Sequence, residues 1–100
     1  MDYRIVWSPE ALEDVEAIAE YIAKDSRHYA RSVVLKICEA TRDLRMYPKA
    51  GRVVPEIADD TIRERFVYSY RLIYRIRESD ILIVAAIHGK RHFEGMSKGQ

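Results

Sequence analysis

The sequence predicts an α+β fold of order β-α-α-β-β-β: a mostly antiparallel sheet with an N-terminal helical hairpin packed on one face. Three observations predict it. Two amphipathic helical stripes follow one another in the first half of the chain. Two runs rich in β-branched and aromatic residues, preceded by a third short run, fill the second half. A short polar break joins the last two runs as a hairpin.

Tyr3–Trp7 alternates around Arg4 and reads as a first strand. Ser8-Pro9-Glu10 then opens a helix, because serine caps well and proline at the first helical position gives up no hydrogen bond. Ala11, Leu12, Val15, Ile18, Ala19 and Ile22 form its apolar stripe. Glu10, Glu13, Asp14, Glu16 and Glu20 lie mainly off the stripe, several near the N-terminus, where the helix dipole favours anions. Asp25-Ser26-Arg27 breaks the pattern. A second helix follows with the stripe Ala30, Val33, Val34, Ile37, Thr41 and Leu44, and it stops by Tyr47 because Pro48 disfavours helical geometry before it. So short a turn makes the helices antiparallel. Pro48–Asp60 holds Gly51 and Pro55, lacks periodicity and reads as a loop back to the sheet.

Ile62–Val67 is the next strand. In Tyr70–Arg77 the side chains of Tyr70, Leu72, Tyr74 and Ile76 point one way and those of Arg71, Ile73, Arg75 and Arg77 the other. Ile81–Ile87 is apolar throughout, which predicts a central strand covered on both faces. A hairpin centred on Glu78-Ser79 sets position 71 roughly opposite position 86, and so puts Arg71 and His88 within reach at one end of the sheet. From about residue 92 the chain reads as a tail, within a single domain spanning 1–100.

Composition narrows the class. A hydrophobic share of 48% with 33% charged residues fits a globular domain and excludes a disordered one. No apolar run approaches the roughly 18 residues of a membrane span. The opening MDYRIVWSPE lacks signal-peptide regions, and Cys38 has no intrachain partner, so a cytoplasmic location is expected. Charge is uneven: residues 1–26 carry two basic against seven acidic groups (−5), and residues 27–100 carry fifteen against nine (+6). Such asymmetry fits either solvated faces or an anionic partner for the second part.

His28, His88 and His92 share no metal-ligand spacing with Cys38 or carboxylates, and no phosphate-binding or nucleophile-elbow motif is present, so neither metal nor cofactor is expected. Arg65, Arg71, His88 and Arg91 remain. Arginines there could hold a phosphate and a histidine could move a proton near neutral pH, the minimum for metal-free RNA cleavage. Spacing alone favours the plainer reading, in which His88 closes a strand and the arginines are solvated.

The succession Trp7-Ser8-Pro9-Glu10-Ala11, two helices, Tyr47-Pro48 with Gly51, Tyr70-Arg71-Leu72-Ile73-Tyr74, and Ile87-His88-Gly89-Lys90-Arg91 resembles the RelE/ParE superfamily of bacterial toxins over about residues 3–91. The resemblance implies the toxin of a type II toxin–antitoxin pair, neutralised by a cognate antitoxin that wraps over it and alone contacts operator DNA. ParE-like members inhibit DNA gyrase, and RelE-like members cleave mRNA on the ribosome. Were this chain a nuclease, the resemblance would make Arg71, His88 and Arg91 catalytic, with Arg63, Arg65, Lys90 and His92 binding the target. The paired lysines of RelE are absent, Arg63 and Arg65 are too basic to shuttle protons, and residues 91–100 contain no tyrosine. These departures favour gyrase inhibition over cleavage. A degenerate, non-toxic binding module or co-repressor is the third alternative.

Overall fold

The computed structural model describes residues 2–93. In chain order the elements are β1 (Arg4–Trp7), α1 (Pro9–Ala23), α2 (Arg27–Leu44), a 3-10 turn (Pro48–Ala50), β2 (Arg52–Val53), β3 (Ile62–Val67), β4 (Tyr70–Ile76) and β5 (Asp80–His88). Ser8 and Ser26 cap the helices, their Oγ atoms accepting from the N–H groups of Ala11 and Tyr29, each at 3.0 Å. The strands form one sheet in the order β1-β5-β4-β3-β2, antiparallel except where β1 lies parallel to β5. The helical hairpin carries the chain from β1 at one edge of the sheet to β2 at the other, and β3 and β4 then bring it back to β5 beside β1. β5 is an interior strand between β1 and β4, in keeping with its unbroken apolar run.

The helices cover one face. Val33, Ile37, Leu44, Leu72, Tyr74, Ile81 and Ile83 form its core, with Tyr70 and Ile76 packed against it, so the expected sidedness of β4 is borne out. Leu12, placed on the α1 stripe by its spacing, is 52% exposed, and Ala40 of α2, not named among the stripe residues, is buried. The opposite face has a second, smaller core of Val54, Ile57, Ile62, Ile73, Ala85, Ile87 and Phe93. Two features of that core differ from the sequence reading. The loop after Pro48 carries the short strand β2 and folds across the sheet, and Phe93 of the expected tail is buried at 5% exposure. The rest of that tail, 94–100, lies outside the described residues.

Gly51 shows why the turn after α2 is constrained. Its N–H donates to Tyr74 Oη at 3.0 Å, that hydroxyl donates to the Pro48 carbonyl at 2.7 Å, and a Cβ at Gly51 would collide with the Glu64 carbonyl oxygen. The requirement is close approach of backbones rather than an unusual φ.

The β4–β5 hairpin contains a bulge. Ile76, Arg75 and Tyr74 face Ile81, Leu82 and Ile83, as a turn at Glu78-Ser79 dictates; the register then shifts, so that Ile73 faces Ala85, Arg71 faces Ile87 and Tyr70 faces His88. Val84 is the inserted residue. Its carbonyl accepts from Ser8 Oγ at 3.3 Å, and Asp14 Oδ2 of α1 accepts from the Ala86 N–H at 3.0 Å. Groups that the irregular ladder leaves unpaired are therefore satisfied by the first helix and its cap.

Candidate functional site

The bulge decides the geometry of the expected site. Cross-strand partners share a face, so Arg71 lies with Ile87 and Phe66, whereas His88 lies with Tyr70 on the helix-covered face. Without the inserted residue, Arg71 would share its face with His88. Both residues sit at the expected end of the sheet, but on opposite sides of it, and they do not form a joint phosphate-and-proton site.

Arg71 is buried and committed within the fold. Its Nε donates to Glu64 Oε1 at 2.6 Å, Nη1 and Nη2 donate to the two oxygens of Glu56 at 2.7 and 2.9 Å, and Nη1 also donates to the Arg91 carbonyl at 2.9 Å. The Arg71 side chain is 5% exposed and that of Glu64 is fully buried. Arg52 Nε, reaching from β2, donates to the other Glu64 oxygen at 2.6 Å. Glu56 in turn accepts from the Phe93 N–H at 3.0 Å, which ties the C-terminal segment across this face. The hydrogen bonds from Arg71 hold the Glu56 carboxyl at about 2, well below its ordinary 4.5, against an opposing push from burial. Reciprocally, the hydrogen bond to Glu56 raises the Arg71 pKa, so the guanidinium is charged at every working pH.

The other expected cations divide between structure and solvent. Arg63 braces the loop: Nη2 pairs with Asp60 at 2.7 Å and Nη1 donates to the Gly51 carbonyl at 3.0 Å. Arg65 reaches Asp43 of α2 at 3.5 Å. His88, Lys90, Arg91 and His92 are exposed. His88 stands edge-on to Tyr70 at 6.0 Å between ring centroids, and its Nδ1 accepts from the Lys90 N–H at 3.2 Å. It opens onto a cleft of about 380 Å3 whose floor is Ala17, Ile18 and Ala86, with Asp14, Tyr21 and Arg91 around it. His92 Nδ1 lies 3.9 Å from Glu56 on the far side. Among the described residues no group of three or more His, Cys, Asp or Glu converges to hold a metal ion.

Glu64 and Glu56 were missed at the sequence level. A tight β3–β4 turn makes Glu64 a diagonal neighbour of Arg71 on the same face, and that signal was available in the alternation of Ile62-Arg63-Glu64. Glu56 sits in an aperiodic loop, and nothing in its spacing announces an ion pair.

Comparison with known proteins places this helical hairpin and five-stranded sheet among the small toxins of the RelE/ParE superfamily. Residues 5–93 match the model of the ParE toxin of type II toxin–antitoxin systems, parDE, and the chain belongs to that family. Toxin RelE2 of Caulobacter vibrioides is 33% identical over 89 residues, covering 88% of this chain and 97% of that protein. Among solved structures, the fold is similar to the chromosomal ParDE system from P. aeruginosa (TM-score 0.71, 19% identity, 86% of this chain and 95% of that one). It is also similar to the YoeB dimer from Staphylococcus aureus (TM-score 0.61, 18% identity, 93% and 100%).

Proposed function

We propose that this type II toxin arrests growth by ParE-like inhibition of DNA gyrase and does not cleave RNA. One observation carries the second half: the Arg71 guanidinium is spent on Glu56, Glu64 and a backbone carbonyl. A phosphate would have to displace a carboxylate from a buried ion pair and then lie against the remaining negative charge, which is strongly unfavourable. Family membership supports the first half. The expected partner is a cognate antitoxin, through which operator DNA is reached. An open cleft of about 460 Å3 between the helices, lined by Ala19, Ala23, Ala30, Val34 and Leu35, supports neutralisation by an amphipathic helix laid on the hairpin.

The exposed trio His88, Lys90 and Arg91 favours the alternative, ribosome-dependent mRNA cleavage. Purified toxin incubated with gyrase and relaxed plasmid separates the two. Blocked supercoiling with double-strand breaks, and intact message on translating ribosomes, is the expected result. Unchanged plasmid topology would reject gyrase inhibition, and cut message would establish the nuclease. Harmless overproduction without the antitoxin would point to a degenerate binding module.

A further inference from the structure

A different edge of the molecule carries an unassigned cationic cleft. It opens between β1 and the C-terminal half of α2, has a volume of about 470 Å3, and is lined by Arg4, Ile5 and Trp7 from the strand, Tyr3 just before it, Thr41 and Arg42 from the helix, and Arg45 at the helix cap. β1 lies at the sheet edge and pairs with β5 over Asp80–Ile83, so the cleft sits at the opposite end of β5 from His88.

Its charges are poorly compensated. The Arg4 side chain is 79% exposed and sits 3.6 Å from Asp80, which is held much more closely by Arg77 Nε at 2.5 Å. Arg45 is half exposed and 3.6 Å from Asp2. Arg42 is exposed and makes no ion pair among the described residues. Three guanidinium groups therefore line the cleft against one carboxylate, Asp2. The α2 helix does not neutralise the arginines beyond the favourable influence of its C-terminal dipole.

We infer that this cleft binds the phosphodiester backbone of double-stranded DNA. Guanidinium groups match phosphate oxygens bidentately, and three of them on two rigid elements suit a repeating anion better than a single one. The four residues of β1 run about 13 Å at roughly 3.3 Å each. One DNA strand presents a phosphate about every 3.4 Å of axis and more widely along its inclined backbone, so an edge of that length meets about two or three. An acidic peptide adding a strand to β1 suits the site less well. The edge is only four residues long, and the Tyr3 N–H at its start already donates to the Arg45 carbonyl at 2.9 Å. The inference goes beyond gyrase inhibition and does not depend on it.

The test is fluorescence anisotropy of a short labelled duplex with the full chain across a salt series. Two variants of equal charge change are compared: Arg42→Ala with Arg45→Ala in the cleft, and Arg27→Ala with Arg31→Ala at the other end of α2. Binding at low salt is expected, with a log–log salt slope of about −2 to −3, since each phosphate contact contributes about −0.9. The cleft variant should lose roughly tenfold in affinity and about two contacts of slope, while the control pair stays within about twofold of wild type. Unchanged melting temperatures keep folding out of the comparison. No binding at low salt, equal losses for both variants, or tighter binding of poly-glutamate of matched charge would overturn the inference. Gyrase inhibition is not among the readouts, so the two hypotheses fail separately.

Discussion

The two faces of the sheet are held by different physics. Under the helices the contacts are almost wholly apolar: Val33, Ile37 and Leu44 of α2 share a core with Leu72, Tyr74, Ile81 and Ile83. On the other face a smaller apolar core adjoins an ion-pair cluster in which Arg71, Glu64, Glu56 and Arg52 are linked, and the Phe93 backbone is tied to Glu56. Apolar packing tolerates loss in proportion to the volume removed. A buried ion pair contributes little relative to a well-packed apolar substitute, yet breaking it by removing one partner strands the other charge. The second face is therefore the more brittle, although it buries less.

The largest effect should come from that asymmetry. Arg71→Ala leaves Glu64 fully buried with only Arg52 as a cationic partner, strips Glu56 of its bidentate guanidinium and removes the donor to the Arg91 carbonyl. A loss of about 3–5 kcal/mol is expected, read from the urea midpoint. A smaller cost, comparable to that of an exposed pair, would show that water reaches the cluster and would remove the contrast between the faces.

Acid tests the same contrast with a smaller effect. Glu56 has a folded pKa of about 2 against an ordinary 4.5, so its contribution is fully present above about 4.5 and is lost as the pH falls towards 2. The full shift corresponds to at most about 3 kcal/mol, and partial access of water reduces this to about 2. Asp80, whose carboxyl is lowered chiefly by the hydrogen bond from Arg77, loses stability in the same direction. The difference between wild type and Glu56→Gln isolates the Glu56 share. Urea unfolding at about pH 5 and about pH 2.5 should show that difference shrinking by about 2 kcal/mol. A constant difference would place Glu56 outside the ion-pair cluster in solution.

These faces were also unequally legible in the sequence. The helix-covered one follows from periodicity: the α2 stripe and the alternation of Tyr70, Leu72, Tyr74 and Ile76 meet as expected, because burying one side of a regular element writes its period into the chain. Leu12 erred because spacing identifies a stripe, not its edge. The other face of the strands is covered by Val54 and Ile57 of a loop and by Phe93, pieces too short to have a period. The expected Arg71–His88 site failed on one residue, Val84, since an insertion in a uniformly apolar strand leaves no mark in the pattern while reversing every side chain beyond it. Glu64 was readable from strand pairing; Glu56 was not.

The smallest expected effect sharpens the contrast from the apolar side. Ile37 is 1% exposed, and Ile37→Val removes one methylene from a core cluster made entirely of apolar side chains and the Tyr74 ring. The expected cost is about 1 kcal/mol, the transfer and cavity terms for a single buried carbon. Because no carboxylate belongs to that cluster, the cost should be the same at about pH 5 and about pH 2.5, in the conditions where the Glu56 contribution disappears. Measured on the same urea series, a pH-dependent Ile37→Val cost would mean that the two faces unfold as one electrostatic unit. A constant one assigns acid sensitivity to the side of the sheet that holds Arg71.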